Sequence, residues 1–371
     1  MKILHTADLH IGRRLNDISL IEDQEKILND ITDIAKEEGC SAVLISGDIY
    51  DKSAPAAEAM VLFDSFISRL CKEGIKIFAV SGNHDSEDRI EYFSSFLDLS
   101  DVHIYGRYDG RVRSYTLSEG DDSATIYLLP FVKPHTVRPF VMDKKLETYE
   151  DAVSEALALA RKENTPGVKI LLAHQFVTGA AVSDSEEASV GGLDNVSASV
   201  FDGFDYVALG HIHKPQSVCR DTVCYSGSPL KYSLSEAGHT KSVSIVEICG
   251  KDIKLSRRLL DPIRDVREIT GYFEDIMKMN YSEDFVKITL QDDMVMPDAR
   301  VTLSTVFPNM IRFSAGELYQ GDDTECSASA AEGLSADMLF SQFYTASCGT
   351  SATDEMMEIV SAILRGEEVD I

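Results

Sequence analysis

Three short apolar runs, Lys2–Thr6, Ala42–Ser46 and Lys76–Val80, alternate with two stretches of helical periodicity, and this alternation sets the fold of the chain. Ile27, Leu28, Ile31, Ile34 and Ala35 mark the first helix, and Met60, Phe63, Ile67 and Leu70 mark the second. A β-α-β-α-β order of this kind predicts a layered α/β domain. Further strands are expected at His103–Tyr105, Thr125–Leu129, Lys169–Ala173, Tyr206–Leu209, Val223–Tyr225, Val243–Glu247 and Ile253–Ser256, with a helix over Tyr149–Lys162. The first domain is therefore expected to span residues 1–260, ending near Asp261-Pro262, where proline stops a preceding element.

Beyond that point, residues 261–313 read as a small α+β unit, with a strand at Phe285–Leu290 and a turn then strand over Val306–Arg312. Residues 314–335 are small, acidic and polar, which suits a linker. Residues 336–371 read as a helix pair: Met338, Leu339, Phe343 and Tyr344 form one apolar stripe. Met356, Met357, Val360, Ile363 and Leu364 form the other, ended by Gly366.

Composition narrows the class. The 371 residues carry 35 basic against 62 acidic side chains, a net charge of -27. Proteins that grip DNA through their own surface are usually basic. The balance argues against autonomous tight nucleic-acid binding and suits an acidic catalytic subunit that meets an anionic substrate through metal ions or a basic partner. Seven cysteines without CxxC spacing read as free thiols of a reducing cytoplasm. No apolar run reaches the ~18 residues that span a bilayer, so no membrane partner is expected. His5, Asp8 and His10 occupy the place of an export-signal core.

Metal-type ligands follow the apolar runs at once. Asp8 and His10 follow the first, Asp48 the second, and Asn83, His84 and Asp85 the third. His174 follows Lys169–Ala173, and His211 and His213 follow Tyr206–Leu209. In layered α/β folds ligands gather outside the carboxyl ends of the strands, so one rim is expected to hold all of these groups. Taken singly, each has a plain reading. Asp8, Asp48 and Asn83 suit turns or caps. A lone His174 is a packed or surface histidine, and His211 and His213 share one strand face by alternation. Jointly, these strand ends point to a shared metal site. Carboxylates, imidazoles and an amide oxygen with no cysteine nearby disfavour a structural Cys-type zinc site. They suit Mn, Fe or Zn in a binuclear hydrolytic site, where a shared carboxylate holds two ions ~3.5–4 Å apart.

Together the segments read D-x-H, G-D-x-x-D, G-N-H-D, H and G-H-x-H, and over residues 1–260 the chain resembles the calcineurin-like metallophosphoesterases. More narrowly, it is similar to the SbcD family, the nuclease subunits of SbcC–SbcD DNA repair complexes. GDIYDKSAP (Gly47–Pro55) stands where serine/threonine phosphatases have GDxxDRG, the third motif is GNHD and not GNHE, and YSGSPLKYSLSE (Tyr225–Glu236) looks like a segment characteristic of that family. The acidic linker and terminal helices resemble its attachment module.

This resemblance implies a layered α/β-sandwich metallophosphoesterase domain with a small α+β cap domain and a C-terminal helix pair. It implies two divalent metal ions, with Mn2+ expected. One ion is assigned Asp8, His10, Asp48 and His213, the other Asp48, Asn83, His174 and His211, so Asp48 bridges. His84 is implied to be a near-site acid and not a ligand, oriented by Asp85 or a backbone carbonyl. Its plain reading is a histidine packed beside Asn83. Arg13 and Lys214 are candidate contacts to DNA phosphates, whereas Arg14 and Lys52 read more simply as solvated charge. Tyr225, Ser226 and Ser228 are candidates for the cleft wall, Tyr225 being equally a core aromatic.

The activity implied is a double-strand 3′ to 5′ exonuclease and single-strand or hairpin endonuclease, acting with an SbcC-like ATPase in DNA repair and recombination. The ATPase would dock on the C-terminal helices, in a heterotetramer containing a nuclease dimer. A linker of ~20 residues is long for a compact domain, and a two-helix piece buries little alone. Its apolar stripes need a partner, unless they fold back on the first domain. Two other functions compete: a phosphatase or phosphodiesterase acting on a small nucleotide or phosphoprotein, and a catalytically silent scaffold for the ATPase. The Tyr225–Glu236 segment and terminal module count against the first, and the complete ligand set counts against the second.

Overall fold

The computed structural model describes residues 1–141, 145–186, 195–292 and 298–315, with single positions at 340–341, 353, 356–357 and 360. The expected linker and helix pair, with Leu339, Phe343 and Ile363, otherwise lie outside the described residues. The chain divides into two compact units, Met1–Arg267 and Glu268–Ile371.

The first unit opens with β1 (Lys2–Thr6), α1 (Ile21–Glu37), β2 (Ala42–Ser46), α2 (Ala57–Lys72), β3 (Lys76–Val80) and β4 (Val102–Tyr105). These strands pair in parallel, with Ile3 beside Ala42 and Ala42 beside Lys76. Parallel neighbours need crossover connections, which α1 and α2 supply. The buried stripe of α1 contains Ile27, Leu28, Ile31, Ile34 and Ala35. That of α2 is rotated from expectation: it runs through Ala59, Phe63, Phe66, Ile67 and Leu70, and Met60 is 50% exposed. The small Ala59 side chain takes the buried position next to it.

The chain continues through β5 (Arg113–Glu119), β6 (Asp122–Leu129), α3 (Tyr149–Leu157), β7 (Val168–His174), β8 (Tyr206–Gly210), β9 (Gln216–Val218) and β10 (Arg220–Tyr225). These strands form a second sheet in the order β9-β10-β8-β7-β6-β5. The helix expected over Tyr149–Lys162 stops at Leu157, and a separate 3₁₀ turn covers Ala160–Lys162. β11 (Ser242–Cys249) and β12 (Asp252–Leu259) return to the first sheet, whose order is β12-β11-β1-β2-β3-β4. β11 runs antiparallel to β1, with Glu247 beside Lys2.

One core joins the sheets: Ile3, Leu44, Phe78 and Val80 from the first sheet with Ile126, Leu171, Val207 and Leu209 from the second. β7 and β8 are buried along nearly their whole length, as strands of a covered parallel sheet must be. The result is a two-sheet α/β sandwich.

β13 (Val266–Gly271), which begins at the end of the first unit, forms a three-stranded sheet with β14 (Phe285–Leu290) and β15 (Met310–Ala315) in that order, with α4 (Ala299–Leu303) before β15. Ile276, Val286, Ile288, Leu303 and Phe307 make its own small core. Among the described residues no helix is long and apolar enough to cross a membrane.

Candidate metal centre

The carboxyl ends of β1, β2, β3, β7 and β8 deliver Asp8, His10, Asp48, Asn83, His84, His174, His211 and His213 to one rim. The backbone is bent to do so. Asp8 (φ 52°), His10 (φ 42°), Asp48 (φ 48°) and His211 (φ 98°) all have left-handed backbone. Such conformations cost ~1–3 kcal/mol each for ordinary residues and persist where the surroundings impose them. Glycines make the closeness possible. A Cβ on Gly82 would lie 2.0 Å from Asp48 Oδ1, and one on Gly47 (φ 83°) would lie 2.4 Å from His174 Nδ1.

The donors form two adjoining groups. In one, His10 Nε2 faces His213 Nε2 at 3.1 Å, and the ligand atoms of Asp8, His10 and His213 lie within 4.8 Å of one another. In the other, Asn83 Oδ1 lies 2.9 Å from His174 Nε2 and 3.0 Å from His211 Nδ1. Asp48 stands between them: its Oδ2 is 3.7 Å from His10 Nε2 and 3.5 Å from His174 Nε2.

The residues suit a divalent cation. Asp8 Oδ2 and His10 Nδ1 are buried without a hydrogen-bond partner among the described residues. Such orphaned polar atoms are costly in a dry interior. Burial and then the nearby Asp48 carboxylate push the Asp8 carboxyl well above its usual range. Burial holds His10 well below the usual histidine value and brings His174 down to about 3. A bound divalent cation would favour the ionised form of these crowded carboxylates and take the imidazole lone pairs, which is the charge the site lacks.

Neighbouring groups set the donor directions. His174 Nδ1 donates to the Ser46 carbonyl at 2.8 Å, which leaves Nε2 for the site. His84 Nδ1 donates to the Asp51 carbonyl at 3.1 Å, so its Nε2 turns toward Asp48 Oδ2, 4.0 Å away. The backbone carbonyl, and not Asp85, therefore orients His84. Asp85 instead accepts from the backbone N–H groups of Ile49, Tyr50 and Gly82 at 3.1, 3.0 and 2.9 Å, tying the Asp48 loop to the Asn83 loop. Burial and Asp48 push its carboxyl up to about 7. The Asp8–His10 turn is held from behind by Gln24, which donates to the His10 carbonyl at 2.8 Å, and by Tyr232, which donates to the Leu9 carbonyl at 2.5 Å.

Arg13 reaches the rim anchored to Asp51 Oδ1 at 2.8 Å, beside the Tyr232 ring. Asp51 Oδ1 in turn lies 3.9 Å from His10 Nδ1. Lys214, Arg14 and Lys52 are exposed. Tyr225 is a core aromatic that donates to the Gln175 carbonyl at 2.8 Å. Ser226 is fully buried, and Ser228 belongs to a buried network behind His213. That network contains Glu186, Glu236 and Lys241, which sequence reasoning passed over although Glu236 closes the Tyr225–Glu236 segment.

Comparison with known proteins follows the same lines. Residues 1–215 match the calcineurin-like phosphoesterase family, and residues 262–347 match the family described as type 5 capsule protein repressor C-terminal domain (SbcD_C). The chain is 33% identical over 320 residues, 84% of its own length and 84% of the relative's, to the SbcD subunit of the SbcCD nuclease of Staphylococcus saprophyticus subsp. saprophyticus. Among solved structures it is similar to a dimetal phosphatase from Danio rerio (TM-score 0.44, 13% identity, 70% of this chain and 96% of that one). It is also similar to TT1561 of Thermus thermophilus (TM-score 0.40, 14% identity, 69% and 98%). Both structural likenesses are distant.

Proposed function

The chain belongs to the SbcD family of nuclease subunits, within the calcineurin-like phosphoesterases, and from that premise we propose how its residues carry out metal-dependent cleavage of DNA. It is a metal-dependent phosphodiester hydrolase. Asp8, His10, Asp48 and His213 would hold one divalent ion, and Asp48, Asn83, His174 and His211 a second, both Mn2+. The observation that carries this assignment is Asp48 Oδ2, placed 3.7 Å from His10 Nε2 and 3.5 Å from His174 Nε2, between the two donor groups. When bound, the ions supply Lewis-acid stabilisation of the phosphoryl oxygens and activation of water.

The protein's own side chains orient and neutralise. Asp8 and Asp48 provide the negative charge, and the imidazoles present fixed nitrogens. His84 is the acid that gives a proton from Nε2 to the departing 3′ oxygen, since the Asp51 carbonyl occupies its Nδ1. Arg13, held by Asp51, is placed to meet a backbone phosphate, and exposed Lys214 beside His213 to meet another. The substrates proposed are duplex DNA, degraded 3′ to 5′, and single-strand or hairpin DNA, cut internally.

The domain roles follow the sequence: nuclease over 1–260, cap over 261–313, linker over 314–335, and over 336–371 a helix pair that docks an SbcC-like ATPase in the cytoplasm. A nuclease dimer within a heterotetramer is supported by Tyr92, Phe93, Phe96 and Leu99, which are 71, 59, 66 and 82% exposed within eight consecutive residues. So much clustered apolar surface is unusual on a monomer. The free state of all the described cysteines suits a reducing compartment.

The test is an assay of the purified chain with Mn2+ on labelled duplex, hairpin and single-stranded DNA and on a phosphomonoester dye. Cleavage of the DNA substrates is expected. Turnover of the dye alone would overturn the nuclease reading. Phe343→Asp tests the docking role: co-purification with the ATPase should fail while metal binding survives.

A further inference from the structure

Behind the rim lies a buried ion pair that the proposed chemistry does not use. Glu236 is fully buried, and its carboxylate accepts from His213 Nδ1 at 3.3 Å, Ser185 Oγ at 2.6 Å and Tyr232 N at 3.1 Å. Lys241, 5% exposed, pairs with the same carboxylate and donates to the His213 carbonyl at 2.9 Å and to Ser228 Oγ at 2.7 Å. The His213 backbone N–H donates to Glu186 Oε1 at 2.7 Å. His213 is thus held at its ring, its N–H and its carbonyl by side chains from two separate segments.

A carboxylate paired with an ammonium has no proton to give. The 3.3 Å bond therefore runs from His213 Nδ1–H to Glu236, and in the neutral ring this leaves the lone pair on Nε2. That nitrogen is the one facing His10 Nε2 at 3.1 Å. A buried ion pair is often no more stabilising than an apolar pair of the same volume, because desolvating both charges offsets their attraction. Stability alone gives no reason to place one here.

We infer that Glu236 and Lys241 are a positioning pair for His213: Glu236 fixes the tautomer and donor direction of the imidazole, and Lys241 balances the buried charge. This rests on the two-ion reading above. A carboxylate behind a metal-ligating histidine also raises its basicity, and removing one typically costs about 10–100-fold in metal affinity.

Two measurements test it on the full chain. In metal-free wild type, histidine ¹⁵N NMR should show His213 as the Nδ1–H tautomer, its signal assigned by loss in His213→Asn. Manganese titration should then show the Glu236→Gln/Lys241→Met double variant losing about 10–100-fold in affinity for one of two ions, with the other unchanged. The double variant is used because Glu236→Gln alone would strand the Lys241 ammonium. An Nε2–H tautomer in wild type, or wild-type affinity at both sites in a folded double variant, overturns the inference. If the double variant does not fold, the tautomer decides. Wild type that binds no manganese would instead overturn the two-ion reading, and the tautomer remains readable without metal.

Discussion

His10 and His213, 203 residues apart in the chain, point their Nε2 atoms at each other across 3.1 Å. With His213 Nδ1 donating to Glu236, the neutral ring offers its Nε2 lone pair toward the other ring. Burial holds His10 well below the usual histidine value, so its ring carries one proton, and donation from Nε2 across this contact leaves its Nδ1 without a partner among the described residues. A bound cation would take the lone pairs of both Nε2 atoms.

Manganese should therefore stabilise the fold. An ion at 100 times its Kd adds about 2.7 kcal/mol to the folded state. Thermal melts in EDTA and in excess Mn2+ measure this, and coincident melts would contradict it.

His84→Ser should keep both ions and lose most exonuclease turnover. Its Nδ1 is taken by the Asp51 carbonyl and its ring packs edge-on against His10, 4.9 Å between centroids, so serine removes a neighbour of the site and none of the assigned ligands. A positioned acid supplies about 10²–10⁴-fold. Elemental analysis beside turnover separates the roles, and metal lost together with activity would make His84 a ligand.

Metal-free protein should lose stability as the pH falls below about 6.5, in part through His5. This residue is fully buried between Tyr206 Oη and Ser46 Oγ, both at 2.9 Å, and burial brings it down to about 3. The unfolded chain takes up the proton near pH 6.5 and the folded chain does not. One such group removes up to ~1.4 kcal/mol per pH unit between about 6.5 and 3. Urea unfolding of wild type and His5→Asn at several pH values isolates the contribution. Equal slopes in the two proteins would refute it.

How far the sequence reveals this design depends on the element. β1, β2 and β3 match their apolar runs residue for residue, because strands covered on both faces read as unbroken hydrophobic stretches. The candidate ligands are legible because they stand within a few residues of strand ends. What lies behind them is not. Asp85 reads as a partner for His84, yet it binds three backbone N–H groups. A short side chain between two loops can turn to either. Glu236 sits in a 3₁₀ turn 23 residues after His213, at no spacing that periodicity reports. Met60 falls on the helical period but outside the buried stripe, which leans toward Ala59 and Phe66 instead.

DNA binding by the isolated chain should be weak and steeply salt-dependent. A net charge of -27 repels a polyanion, and attraction must come locally from bound metal, Arg13 and Lys214. Titrations at two salt concentrations measure the slope. Tight, salt-insensitive binding would contradict the account.

The central claim is that one carboxylate serves two ions, and counting manganese tests it most directly. Equilibrium dialysis and elemental analysis should find two Mn2+ per wild-type chain and one or none in Asp48→Ala, with nuclease activity abolished. Asp48 Oδ2 lies within 3.7 Å of a histidine nitrogen from each donor group, so its removal should be felt at both ions. Two ions retained in a folded Asp48→Ala variant would contradict the shared-carboxylate site.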